Sequence, residues 1–186
     1  MANKYKEINN SIEEFIKKQK IFFVATATED SFINLSPKGM DSLKIMGKNR
    51  VIWLNSTGST NESSAHVQRD PRMTMMFCSF EKEPLIVKLI GKAKVIHKKD
   101  NEWESLAKKL PSIPGARQIF DLEIELILTV CGMAVPYFDY KGEREDLNDC
   151  WIKQGQDGLE KYWTKRNQVS LNGEKTYIIE KNTEDK

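Results

Sequence analysis

Apolar positions recur along this chain in two rhythms. Ile8, Ile12, Phe15 and Ile16 fall three and four apart, the spacing of one helix face, and Ser11 with Glu14 reads as a capping box at its start. Lys17, Lys18 and Lys20 suit the carbonyl end of that helix. From residue 21 the rhythm shortens to that of strands. Residues 21–28 are rich in β-branched and aromatic side chains, Glu29-Asp30-Ser31 reads as a turn, and residues 32–36 as the returning strand of a hairpin. Pro37-Lys38-Gly39 is predicted to break that ladder, because Pro37 has no N–H to donate. Residues 50–55, 73–80, 85–97 and 117–130 complete six predicted strands, with a bulge or bend expected at Gly91.

Short helices are predicted over residues 61–69 and 100–110, the second capped by Asp100 or Asn101. With few helices between strands, antiparallel pairing into a six-stranded β-barrel with peripheral helices is the economical arrangement, since closure removes exposed edges. Beyond residue 131 the character changes. Residues 144–153 and 157–166 read as two charged helices carrying Trp151, Tyr162 and Trp163, Asn172-Gly173 as a turn, and residues 180–186 as a frayed polar end. The expected organisation is a barrel over residues 1–130 and a helical extension, 131–186, packed on it as part of the same domain.

Composition narrows the functional classes. The chain has 186 residues, 39% hydrophobic and 30% charged, enough apolar material for one core. A net charge of +2 gives no strong field toward nucleic acid or membrane. Apolar runs are too short to span a bilayer and the first residues turn polar at once, so a cytoplasmic protein is expected. Cys78, Cys131 and Cys150 are scattered and form no CxxC pair, which argues for free thiols and against a disulfide framework or a metal site. Neither GxGxxG nor GxxxxGK[ST] is present. His66 and His97 are expected to be structural or superficial rather than catalytic, and most carboxylates have basic neighbours and read as solvated faces. No catalytic residue is assigned.

Two segments stand out. Asn34-Leu35-Ser36-Pro37-Lys38-Gly39 places backbone groups, a hydroxyl and an ammonium at one strand end, which suits a phosphate or a polarised ring edge; a plain turn explains it about equally well. Asn55-Ser56-Thr57-Gly58-Ser59-Thr60-Asn61 crowds hydroxyls and amides at a helix entry, where free N–H groups attract anions. Simple helix capping is the competing explanation there, and Glu62 in the first turn weakens an anion site.

In order along the chain, Phe22–Ala27, Asn34–Gly39, Ile52-Trp53-Leu54-Asn55 with Ser56-Thr57-Gly58-Ser59, Asn61–His66 into Asp70-Pro71-Arg72, Met76-Phe77 and Lys88–Ala93 resemble the pyridoxamine 5'-phosphate oxidase-like family of FMN-binding split barrels. The resemblance runs from about Ile12 to Leu128, and Cys131-Gly132, Val135-Pro136, Glu143-Arg144 and Tyr162-Trp163 resemble one subgroup. It implies a homodimer with FMN at the subunit interface. It places Ile33, Asn34, Leu35, Ser36, Pro37 and Lys38 on one flavin-lining strand and Trp53, Leu54, Asn55, Ser56 and Thr57 on the next. Ser59, Ser63 and Ser64 would hold the phosphate at the helix start, and Arg117 and Gln118 would approach from the partner subunit or serve the structure. Lys38 is expected to polarise the flavin's pyrimidine edge or its phosphate.

Two departures matter. The oxidase has basic residues at the helix start where this chain has Ser63-Ser64, which leaves the charge to Arg72, Lys88, Lys92 or the partner subunit. The oxidase's substrate-phosphate grip, a Tyr, an Arg and a Ser with a C-terminal Arg and His, has no counterpart here. The activity implied is an FMN-dependent oxidoreduction of a small molecule other than the oxidase's own substrate, with NAD(P)H as an electron donor. The alternatives are a non-catalytic flavin-binding, stress or sensory protein, and a related barrel holding F420 or haem.

Overall fold

The computed structural model describes residues 2–183. Its strands are β1 (Asn3–Tyr5), β2 (Phe22–Thr26), β3 (Asn34–Lys38), β4 (Leu43–Gly47), β5 (Arg50–Ser56), β6 (Arg72–Cys78), β7 (Leu85–His97) and β8 (Ala116–Cys131). The helices are α1 (Asn10–Lys18), α2 (Glu62–Arg69), α3 (Trp103–Ala107), α4 (Asp146–Arg166) and α5 (Ile178–Asn182). The sheet is antiparallel, in the order β3-β2-β6-β7-β8-β5-β4, with β1 added to β8. No ladder joins the end strands β3 and β4, so the barrel is split there.

Eight strands replace the six predicted. β1 is three residues long, and β4 half-buries Leu43 and Ile45 in a stretch too short to announce itself beside Gly39 and Gly47. The expected break at Pro37 is also corrected: the ladder runs through it, with Pro37 opposite Phe23 and Lys38 opposite Phe22. β3 has one neighbour, so a residue lacking an N–H is tolerated on it. The helix α1 is capped by Asn9, whose Oδ1 accepts from the Ile12 N–H at 2.9 Å, and Ser11 lies inside the helix rather than capping it. Asp100 caps no helix either; its carboxylate accepts from the His97 N–H at 2.8 Å.

The main core fills the barrel. Trp53 stacks on Phe120 with centroids 4.7 Å apart, and Phe22 meets Trp53 edge-on and stacks on Phe77. Ile12 and Ile16 of α1 close one end of this core. A second cluster gathers Ile52, Leu54, Ile96, Leu106, Leu110 and Ile119, and a third, in the C-terminal segment, is built from Trp151, Leu159, Trp163 and Ile178. The two predicted tail helices are both present, and meet within α4 at a non-helical kink at Gly155 (φ 64°). The expected fraying of residues 180–186 is corrected for those described: Asn182 ends α5, is buried, and donates to the Arg117 carbonyl at 2.6 Å. Residues 184–186 lie outside the described residues.

β8 pairs with β1, β5 and β7 and is bulged twice. Between Ile90 and Gly91 of β7 the register skips Glu125, as expected near Gly91. There the strands approach so closely that a Cβ on Gly91 would lie 1.9 Å from the Glu123 carbonyl oxygen. Between Asn55 and Ser56 of β5 the register skips Arg117. We expect Gly91→Ala to lower the unfolding free energy by about 2–4 kcal/mol, measured by urea denaturation. A loss below about 0.5 kcal/mol would contradict the close approach.

Candidate functional site

A cavity of about 180 Å3 opens where β3, β5, the start of α2 and the start of β8 converge. Along β3 the side chains alternate: Asn34, Ser36 and Lys38 are half-buried and line the cavity, whereas Ile33, Leu35 and Pro37 are exposed. β5 adds Trp53, Asn55 and Ser56, the following loop adds Gly58, Ser59 and Thr60, and α2 adds Glu62 and Ser63. An adjoining cavity of about 170 Å3 shares Lys38, Trp53, Asn55, Ser56 and Gly58 and adds Pro37, Leu54, Thr57 and Met40.

The bulge at Asn55/Ser56 explains how Arg117 arrives there. As the residue skipped by the β5 ladder, it is freed from the alternation of β8, and both Arg117 and Gln118 are buried. Its guanidinium donates from Nη1 to Asn167 Oδ1 at 2.7 Å and from Nη2 to the Thr60 carbonyl at 2.8 Å. With the Asn55 amide oriented by its surroundings, Arg117 Nε donates to the Asn55 oxygen at 3.3 Å. All these acceptors are neutral. Burial therefore pushes the guanidinium down to about 9, still charged at neutral pH. Lys38 lies over the Trp53 ring, 5.2 Å from its centroid. Burial, and then the charge of Arg117, lower its ammonium to about 8.

Two cations thus face one cavity with no carboxylate paired to either among the described residues. The acidic side chain at hand, Glu62, lines the cavity and is tied to the tail: its oxygens accept from the Leu171 N–H at 3.1 and 3.2 Å. That contact fixes the carboxylate without neutralising it. Ser63 Oγ accepts from Asn34 Nδ2 at 3.0 Å, which ties the two segments singled out in the sequence into one wall.

Other sequence-predicted residues lie elsewhere. Thr57, Ser64 and Gln118 are fully buried in a network behind the cavity. Thr57 Oγ1 donates to the Gly115 carbonyl at 2.7 Å and accepts from Trp163 Nε1 at 2.8 Å, while its carbonyl accepts from Trp151 Nε1 at 3.0 Å. Gln118 donates to Ser64 Oγ at 2.8 Å. Arg117 enters its own chain's cavity, so approach from a partner subunit is not needed to bring it there. Arg72 pairs with Asp70 and Lys92 with Glu125, and neither these nor Lys88 lines either cavity. His66 and His97 are wholly buried, which corrects a superficial placement; burial lowers His97 to about 4 and keeps its ring neutral. Asp121 and Glu62 are likewise buried rather than solvated. Asn167 was not anticipated, and nothing in its neighbourhood along the chain points to residue 117.

Comparison with known proteins gives the family and the fold. The family model described as pyridoxamine 5'-phosphate oxidase fits residues 8–131. The chain belongs to this family. A pyridoxamine 5'-phosphate oxidase family protein of Aspergillus flavus, ustO, is 32% identical over 140 residues, covering 73% of this chain. The chain spans about half (56%) of that relative's length. Among solved structures, HupZ of Group A Streptococcus superposes with a TM-score of 0.52 at 16% identity, covering 64% of this chain and 91% of that one. A Lactobacillus delbrueckii protein provisionally assigned to the pyridoxamine 5'-phosphate oxidases gives 0.53 at 19% identity, covering 66% and 94%. These likenesses establish the split-barrel fold. The family match ends at residue 131, so Asn167, Trp151 and Trp163 lie beyond it.

The lowered ammonium has a measurable sign. An unfolded Lys38 titrates near 10.5 and the folded one near 8, so the charged form is disfavoured by folding. That penalty is fully present below pH 8 and disappears as pH rises from 8 to 10.5. In anion-free buffer, the stability of the native chain relative to Lys38→Met should therefore climb across this window. A flat difference in urea midpoints would show that Lys38 is not desolvated.

Proposed function

We propose that this family member binds FMN and uses it in an oxidoreduction of a small molecule, with the phosphate held by Arg117 and Lys38. The observation that carries the reading is a buried guanidinium and a half-buried ammonium, neither paired with a carboxylate, set beside the N-terminal turn of α2. A phosphate group supplies the missing charge, and the hydroxyls of Ser56, Ser59, Thr60 and Ser63 suit its remaining oxygens. Asn34, Ser36 and Asn55 offer amide and hydroxyl groups to the ribityl chain and ring edge, and Trp53 forms an apolar floor. Bound flavin supplies the redox chemistry itself. The chain orients the cofactor, excludes water and holds positive charge near it through Lys38. We further propose a homodimer that completes the pocket. In support, Phe32, Ile33 and Leu35 are 71%, 78% and 63% exposed on and beside the edge strand β3, next to the cavity. The missing substrate-phosphate marks argue against the namesake reaction.

Purified protein titrated with FMN should show the absorption and quenched fluorescence of bound flavin, and a chain that ignores FMN would sink the proposal. Arg117→Met and Lys38→Met should each weaken FMN by about tenfold or more while changing riboflavin far less. FMN affinity should fall as pH rises through 8, where Lys38 loses its charge. Reduction of bound FMN by NADH or NADPH, with reoxidation by an acceptor, tests turnover. Leu35→Glu should shift the protein from dimer to monomer in sedimentation; a native chain that sediments as a monomer refutes the dimer.

A further inference from the structure

The Arg117 guanidinium is fixed from outside the region that the family model covers. Asn167, at the carboxyl end of α4, is fully buried and makes contacts in four directions. Its Oδ1 accepts from Arg117 Nη1 at 2.7 Å, and its Nδ2 donates to the Gly58 carbonyl at 3.1 Å. Its own carbonyl accepts from Thr176 Oγ1 at 2.6 Å and from Asn61 Nδ2 at 3.4 Å. One side chain therefore ties together the buried cation, the loop that carries Ser59 and Thr60, and, through its backbone, the residue at the head of α2. Thr176 is held in turn: its carbonyl accepts from Gln68 Nε2 at 3.1 Å and from Ser64 Oγ at 3.4 Å, and lies 3.2 Å from His97 Nε2. α5 closes the arrangement, because Asn182 donates to the Arg117 carbonyl. The C-terminal segment thus grips Arg117 at both its guanidinium and its backbone.

We infer that Asn167 is a positioning residue for phosphate recognition: it aims Arg117 and the Gly58–Thr60 loop at the anion, and the C-terminal segment is thereby a working wall of the site. The inference rests on the phosphate reading above. Two features of the geometry favour it over a purely architectural role. The acceptor offered to Arg117 is a neutral amide, which fixes the guanidinium while leaving its charge available; an aspartate in the same place would neutralise it. In addition, the same amide bonds both Arg117 and the Gly58 carbonyl, beyond the last rung of the β5–β8 ladder at Ser56 and Ala116.

The test compares FMN with riboflavin, which differ by the phosphate, on the full chain by calorimetry. Asn167→Ala should weaken FMN about tenfold while moving riboflavin less than about twofold. Asn167→Asp, which keeps the size of the side chain and supplies a second route should the alanine variant not fold, should also weaken FMN selectively. In an Arg117→Met background Asn167→Ala should cost less than in the native chain, because the part of its effect that passes through the guanidinium is already lost. Parallel losses of FMN and riboflavin, no loss, or an undiminished loss in the Arg117→Met background would overturn the inference. If the native chain binds no FMN, the flavin reading fails, and the same variants are read with inorganic pyrophosphate. Selective loss of pyrophosphate on changing Asn167 upholds the positioning role. Pyrophosphate that does not bind, or binds without regard to Asn167, overturns it.

Discussion

A guanidinium buried without a carboxylate is the constraint on which the rest of this molecule turns. Removing such a charge from water is unfavourable by several kcal/mol even after relaxation. Neutral oxygens on Asn167, Thr60 and Asn55 compensate part of this through hydrogen bonds and leave the charge itself unmatched. Burial, and then that charge across the cavity, drive Lys38 toward neutrality. The result is a small volume in which positive potential is concentrated by low-dielectric walls. The proposed phosphate ligand would complement that charge.

The elements that build the site divide by how local their causes are. The two stretches around Lys38 and around Ser59 were legible because each concentrates hydroxyls, amides and turn formers, and strand alternation correctly turns Asn34, Ser36 and Lys38 to one face. β7 was also readable, since its long alternating run and Gly91 are local signals. β1 and β4 were not, being too short to show a period and stabilised by the neighbours they pair with. Pro37 misled because its effect depends on whether its strand has one neighbour or two, which is a fact of topology. Thr57, Ser64 and Gln118 carry the chemistry expected of ligand contacts, yet the fold directs it toward the tail.

Tail and barrel are interdependent through polar contacts more than through a shared apolar face. The third core cluster is confined to the C-terminal segment, but its two indoles reach across it to the same residue of the barrel, Thr57. Gly115 makes this approach feasible: it adopts φ 73°, and a Cβ there would lie 2.4 Å from the Trp151 ring. A family-wide barrel thus carries a segment whose buried donors are spent on positioning rather than on packing area.

The bulge at Glu125 has a consequence for how this chain can change in length. Before it, Leu122 and Ile124 face inward; after it, Ile127 and Thr129 do, so inward positions switch from even to odd. Removing a residue away from the bulge would turn the stretch between it and the bulge inside out. Removing Glu125 itself would merge the two halves into a single uninterrupted alternation, with Leu122, Ile124, Ile127 and Thr129 still facing inward. Insertions and deletions in this strand are therefore filtered by parity, and one exposed glutamate marks the place where the chain can shorten without exchanging its inside for its outside.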